Sequence, residues 1–439
     1  MLYGINLAGD EAEITETSVA RTFGIMDMYR DFRKSTKQHE VEEQLSVLES
    51  RAGEIISTIR KAFEAGKPDV WITRTQRDTL RKFLFIMKYR ANRFHKRYFH
   101  DEADAYDEDD KERMLNYMKE KGIKKPIDVW FDNIKGILDL KMDYGMEWVD
   151  KIMKRIYPDD AKWFINNTQQ FYMAFCTPSA TDDEFLLTQN AYSVYEGATS
   201  EICDPFSGKI TPQVYTEFHV FAPISPRLII VLRTFILPIP EEDADDSVRE
   251  ERESWYQDQV SQHIHPELAG SVLRDLPIGK ALNSYSKHVD GRVVPINGGP
   301  TGPNDRFCFR FFSIPQDYVH KINGIMLNES HQIDLIVFNK NAAAFKAIEH
   351  YLDHSVEFGV DSERVWNLKK LQQAAKLLAT TLPKQETSKP RQNTIMGVEI
   401  PEDKVYTLFA QNERAKELYF KLSKCFKYRD VLLLIYSRW

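Results

Sequence analysis

Two apolar, turn-punctuated runs, Glu184 to Gly197 (EFLLTQNAYSVYEG) and His219 to Arg233 (HVFAPISPRLIIVLR), set polar residues inside stretches that read as buried. Burying such groups costs free energy unless partners are supplied. Asn190, Glu196, His219, Ser225, Arg227 and Arg233 are therefore the first candidates to converge on a small ligand. His219 suits a general base with Glu196 or Glu49 as its carboxylate partner, because an imidazole titrates near neutrality. Arg90 and Arg227 suit the binding of an anion, because the guanidinium fork donates two hydrogen bonds at once. Glu42 and Glu49 share one stripe of the first helix, seven residues apart, and are expected to orient Arg90. A buried Glu49–Arg90 ion pair would make either a structural clamp or the charged wall of a pocket.

Other constellations carry less. Between Arg74 and Arg97 there are nine basic residues and one acid, Asp78, and Asp101 to Glu112 then holds eight acids and one lysine. A basic helix with Phe94, Tyr98 and Phe99 interleaved could track a phosphate backbone and stack bases. The nearer expectation is that the acidic segment folds back and neutralises the helix in cis, with the aromatics at core spacing. Asp104, Asp107, Asp109 and Asp110 have the residue type that holds magnesium against a diphosphate, but no second motif of suitable spacing follows, so a solvated surface is expected. His350 and His354 lie four apart on a helix, and His263 and His265 two apart before Pro266. Both pairs lack a third ligand, and no metal site is expected. Gly298, Gly299 and Gly302 lack the Gly-Lys-Ser/Thr of a phosphate-cradling loop, and no Gly-x-Ser-x-Gly elbow surrounds Ser225.

Composition bounds the class. The chain has 439 residues, enough for a large core, and a net charge of −7, which argues against a protein built to neutralise phosphates. Cys176, Cys203, Cys308 and Cys425 are too scattered for a disulfide framework or a paired Cys-x-x-Cys zinc site. The start, MLYGINLAGDEAEI, lacks the pattern of a secretory signal, and Leu228 to Leu237 falls short of the roughly 20 apolar residues that span a bilayer. A soluble, intracellular and cytoplasmic protein without membrane or nucleic-acid partners is expected, with no cofactor or oligomeric state implied.

The elements that must position these residues follow from periodicity. Val41, Leu45, Leu48, Ala52, Ile55, Ile59 and Ala62 form one stripe of a helix over residues 41 to 63. Thr73 and Gln76 have capping-box spacing and open a second helix carrying Leu80, Phe83, Leu84, Met87, Ala91, Phe94 and Tyr98. Further helices are expected around 114–118, 134–140 and 148–156, so residues 1–176 read as mainly helical. From Thr177 short strands take over, and Leu228 to Leu237 reads as a central strand covered on both faces. The spacing predicts strands over 306–312 and 333–338 and helices over 316–327 and 342–352, so 177–357 is a mixed α/β region. Residues 358–439 hold two further helices, 362–382 and 404–428, on either side of a linker at 383–403 that is expected to be mobile. The fold class is α+β: a helical N-terminal third packed on a mixed sheet, with additional C-terminal helices, in one integrated globular unit.

VEEQLSVLES (41 to 50), RDTLRKFLFIMKYRANR (77 to 93), the two polar-bearing runs above and HKINGIMLNESHQIDLIVFNKNAAAF (320 to 345), in this order, resemble the domain-of-unknown-function family DUF4238, especially its fungal members. The resemblance covers about residues 1 to 355 and implies that Glu42, Glu49, Arg90, Asn190, Ser225, Pro226 and Asn323 occupy motif positions. It implies no reaction. Many relatives begin with a motif containing His and Pro, upstream of where this chain starts, and bacterial relatives tend to have Ser-Asp-Asn-Pro where Thr188-Gln189-Asn190-Ala191 stands here. A chemistry that needs the missing His or Asp would make this a truncated or non-catalytic relative. The leading expectation is a polar pocket for a small anionic ligand, bound by Arg90, Asn190, Arg227 and Asn323 with His219 nearby. The alternatives are a hydrolytic or tailoring enzyme of specialised metabolism, using His219 with Glu196 or Glu49, and a non-catalytic protein-interaction scaffold.

Overall fold

The computed structural model describes residues 2–17, 40–100, 102–203, 210–289, 292–296, 302–354, 362–382, 394–395 and 398–399. In chain order the first elements are β1 (Leu2–Asn6), β2 (Glu13–Thr17), α1 (Glu40–Glu64), β3 (Asp69–Thr73), α2 (Arg74–Tyr89), α3 (Asn92–Tyr98), α4 (Lys111–Lys121), α5 (Pro126–Asp139), α6 (Glu147–Arg155) and α7 (Pro158–Gln169). Strands then dominate: β4 (Phe171–Pro178), β5 (Leu187–Thr188), β6 (Tyr195–Glu196), β7 (Thr199–Cys203), β8 (Ile210–Tyr215), β9 (His219–Ser225) and β10 (Leu228–Thr234). After α8 (Asp246–Ser261) come β11 (Leu282–Asn283), β12 (Ser286–Val289), β13 (Arg292–Pro295), β14 (Arg306–Ile314), α9 (Gln316–Asn328), β15 (Leu335–Phe338), α10 (Asn341–Asp353) and α11 (Ser362–Thr381). The fold is α+β, as expected.

The main sheet runs β11-β14-β4-β10-β9-β6, with β3 on the first half of β14. β14 changes partner along its length: Arg306 to Arg310 face β3 antiparallel, and Phe311 to Ile314 lie parallel to β4. β10 sits between β4 and β9 and is buried along its whole length, which bears out the reading of a central strand. Its alternate residues face different cores, as a period of two requires. Leu228, Ile230 and Leu232 pack on the helical layer of α1 to α7, and Ile229 and Val231 join a second core with Phe221, Leu273, Leu276 and Ile322. A smaller sheet, β2-β1-β15-β5, is covered by α10 and α11 through Ile5, Ile336, Phe345, Ile348 and Leu371.

The helical layer follows its sequence signals. The seven apolar residues of the first stripe are all buried in α1, and α2 begins with the capping box of Thr73 and Gln76. The single long second helix is corrected to two, because the chain breaks at Arg90 and Ala91. The break lets Tyr98 of α3 donate to the same Asp160 oxygen as Tyr89 of α2, at 2.6 and 2.5 Å, with Asn133 Nδ2 at 2.7 Å. The texture change expected at Thr177 comes at Phe171, and residues 1–176 also hold β1, β2 and β3. Phe171 to Pro178 is a continuous apolar run whose periodicity cannot separate a buried strand from a buried helix.

The acidic segment does fold back on the basic one. Asp104, Asp107 and Asp109 are exposed, but Asp110 is buried, accepting from Arg97, Tyr106 and Tyr157 at 2.6 to 2.8 Å. A wholly solvated acidic loop is therefore corrected at Asp110. Phe99, expected among core aromatics, is 68% exposed. The helix expected at 404–428 and the linker at 383–403, except 394–395 and 398–399, lie outside the described residues. No helix among the described residues is long and apolar enough to cross a membrane.

Candidate functional site

Pairing in the main sheet lines up one polar residue from each of four adjacent strands. Glu196 of β6 stands opposite His219 of β9, His219 opposite Arg233 of β10, and Arg233 opposite Tyr172 of β4. Residues directly opposed across antiparallel strands share a face, with Cβ atoms about 4.5–5.5 Å apart, so the four form one row. The row lies on the sheet face turned away from the helical layer, among Phe221, Val231 and Leu276. Segments without long helices or strands, 235–245 and 262–281, supply its partners and cover it.

Glu196 Oε2 accepts from His219 Nδ1 at 2.7 Å and from Ser271 Oγ at 3.0 Å, and Oε1 accepts from the Val272 N–H at 2.7 Å. A carboxylate only accepts, so the His219 proton sits on Nδ1 and Nε2 presents a lone pair. That Nε2 is buried and has no hydrogen-bond partner. Burial holds the His219 imidazole below its ordinary value, with Glu196 working against the shift and Arg233 adding to it. A neutral imidazole oriented by a carboxylate and ending in a free basic nitrogen is an arrangement for accepting a proton.

Arg233 is 1% exposed and donates to the carbonyls of Leu276, Arg274 and Pro238 at 2.9, 2.6 and 3.1 Å. Among the described residues it forms no ion pair, and its Nε–H has no partner. Burial lowers its pKa from the usual arginine value. The Tyr172 hydroxyl beside it is likewise buried without a partner, as is Glu241 Oε2. Burial pushes the Tyr172 phenol well up, Arg233 opposes and Glu241 reinforces the shift, so the group stays an O–H donor. Cys176, four residues along β4 and on the same face, is a buried thiol pushed up to about 12 by desolvation and is no nucleophile at neutral pH.

The other residues named from sequence fall into separate hydrogen-bonded groups. Arg90 does pair with Glu49, at 2.5 Å, but the side chains are 21% and 43% exposed, which corrects the expected buried pair to a surface-facing one. Glu42 is exposed on the first turn of α1. Arg227 donates to the carbonyls of Pro178, Ala180, Thr181 and Asp183, tying down the segment after β4. Asn323 of α9 clamps the next stretch, donating to Glu184 O at 2.8 Å and accepting from the Leu186 N–H at 3.0 Å. Asn190 donates to Glu329 O at 3.1 Å. Ser225 Oγ accepts from the Arg227 N–H in the β9–β10 turn.

The histidine pairs resolve differently. His263 is buried between the Ser200 and Thr216 hydroxyls, while His265 is partly exposed beside Glu267, so the two do not work together. His350 stacks on His354 at 4.2 Å and 18°, with His320 at 4.9 Å. Stacked rings meet by their faces, whereas ligation uses nitrogen lone pairs at the ring edge. Among the described residues no group of three or more His, Cys, Asp or Glu is placed to hold a metal ion.

Of the residues singled out from sequence, Glu196, His219 and Arg233 are brought together. Tyr172 and Glu241 were missed. Only the register of β4 against β10 puts Tyr172 in the row, and nothing in the run FYMAFCTP marks it.

A family model matches residues 2–342, and the family is described as a protein of unknown function, DUF4238. No curated protein and no solved structure matches the chain.

Proposed function

Because the chain belongs to the DUF4238 family, whose description names no reaction, we propose from the geometry that the Glu196–His219–Arg233–Tyr172 row seats one small anionic ligand and that His219 handles its proton. The observation that carries this reading is Arg233. A buried guanidinium with no carboxylate partner among the described residues and an unused Nε–H is a standing site for negative charge. Tyr172 offers a second donor and His219 Nε2 an acceptor for a ligand hydroxyl or acid proton. Each buried polar atom left unpaired costs about 1–3 kcal/mol, so a ligand that satisfies three of them gains that much from pairing them. The fitting ligand is a small hydroxy acid, carboxylic acid or phosphate monoester.

Arg227, Asn323 and Asn190 enter this reading as supports of the frame around the sheet, and Arg90 with Glu49 as a tie between α2 and α1. The Glu196–His219 pair adds a catalytic version: with the ligand in place, Nε2 removes a proton from it or from a water molecule, as a hydrolytic or tailoring activity requires. Proton transfer needs contacts of about 3 Å between His219 Nε2 and the group it serves.

Thermal-shift titration of the wild type and of Arg233→Met and His219→Gln against small carboxylates, hydroxy acids and phosphates tests the proposal. A saturable rise in melting temperature that is lost in Arg233→Met and weakened in His219→Gln is expected. Melting that no anion moves in the wild type would leave buried water as the occupant and end the reading.

A further inference from the structure

On the helical layer, a groove of about 460 Å³ opens between α1, α2 and the chain that leaves α5. Val47, Leu48, Leu138 and Met142 give it apolar walls, and Arg51, Lys82 and Lys141 supply cationic side chains. Lys82 is unlike a surface lysine. Its Nζ donates to Leu138 O at 3.2 Å and to Leu140 O, and it forms no ion pair among the described residues. Two acids also line the groove, and each is held by another residue, Asp78 by Arg77 and Asp139 by Gln44. The two carbonyls take up two N–H bonds, which leaves the remaining position of the nitrogen for the groove that Lys82 lines. Gln44 Oε1, also in the lining, is buried with no partner.

The geometry points to Lys82 as an imine-forming amine for aldehydes that carry an apolar body and an anionic group, seated in this groove. The apolar body lies against the walls, and Arg51 receives the anion. Desolvation brings the Lys82 ammonium down to about 8, with Asp139 opposing and Arg51 adding to the shift, so a useful share of free amine exists at neutral pH. The nitrogen lone pair attacks the carbonyl carbon, and the carbonyl oxygen takes a proton to give a carbinolamine. Loss of that hydroxyl with one further proton, as water, forms the C=N bond. The nitrogen attacks as NH2, so the protonated imine keeps one N–H and can still serve one of the two carbonyls.

The test uses the intact chain with 4-formylbenzoate and cyanoborohydride at neutral pH, followed by peptide mass mapping. Cyanoborohydride reduces the imine and fixes it, so labelling reports C=N formation. Lys82 is expected to be labelled about tenfold faster than the other lysines, because a desolvated lysine presents more free amine. Its labelling should saturate with aldehyde, slow in the presence of benzoate, and level off with rising pH near 8 rather than near 10.5. Lys82→Arg, checked for an unchanged melting temperature, should lose the saturable fraction alone. Labelling of Lys82 at the rate of its exposed counterparts overturns the proposal. A preference that persists in urea overturns it as well, because it would then belong to the local sequence and not to the groove.

Discussion

The Nδ1 of His219 and the Oε2 of Glu196 stand 2.7 Å apart across the β9–β6 pairing, both side chains almost wholly removed from solvent. The same carboxylate holds Ser271 and Val272, so the pair fixes the imidazole and fastens the covering segment to the sheet edge. Glu196→Ala should lower stability by about 2–4 kcal/mol, since it strands a backbone N–H and an imidazole N–H together. Equilibrium urea unfolding checks this. A loss below 1 kcal/mol would mean that water replaces the carboxylate at little cost.

The depressed His219 makes stability pH-dependent with a fixed sign. Its folded pKa lies below the ordinary 6.5, so below that pH the unfolded chain takes up a proton that the folded chain resists. Stability from this group is complete above 6.5 and lost as pH falls towards the lower, folded value. Unfolding free energies measured through this range should decline towards acid, and less steeply in His219→Gln. Parallel slopes for the two proteins would contradict the assignment.

Asp160 Oδ2 accepts from two phenols and an amide, all buried. Asp160→Leu should destabilise by at least about 3 kcal/mol, because three donors lose their acceptor at once. Asp160→Asn keeps one carbonyl oxygen and should cost less. Calorimetric melting of both variants ranks them, and the reverse order would refute this account of the network.

Lys88 and Glu217 form an ion pair whose side chains are 1% and 7% exposed. Lys88→Met should cost about 3–5 kcal/mol by leaving a buried carboxylate without its cation, and the double variant Lys88→Met, Glu217→Gln should recover part of that loss. A double-mutant cycle reads the coupling directly. Strict additivity would show that the pair does not act as one unit.

Gly197 follows Glu196, and a Cβ built there would lie 1.9 Å from the Thr216 carbonyl oxygen. Backbone cannot step aside as a flexible side chain does, so Gly197→Ala should shift β6 and weaken the Glu196–His219 contact. We expect a loss of about 1–3 kcal/mol together with poorer ligand stabilisation. Thermal shift with and without ligand measures both effects.

Local signals made much of the frame legible. The stripe of α1, the capping box of α2 and the apolar run of β10 each carry their evidence within one element. What did not show was anything decided between elements. The Glu49–Arg90 pairing was readable from helix faces, but its partial exposure depends on what else covers that edge. Arg227 stood out as a polar residue in a buried run and Asn323 as a motif position of the resemblance, and they bond to backbone in segments that no side-chain pattern announces. Glu196, His219 and Arg233 were visible as buried polar residues, while Tyr172 joins them through register, which a strand's own sequence does not encode.

β1 is hydrogen-bonded on one side to β15, with Tyr3 opposite Phe338. Its neighbour β2 is translated at once, but the other flank has to wait until more than 330 further residues have been made. Throughout that interval the nascent β1–β2 hairpin offers a bare ladder edge to any extended segment it meets. Chaperone cover for this hairpin, or slow synthesis past residue 338, should therefore govern how much protein a cell recovers in the right topology.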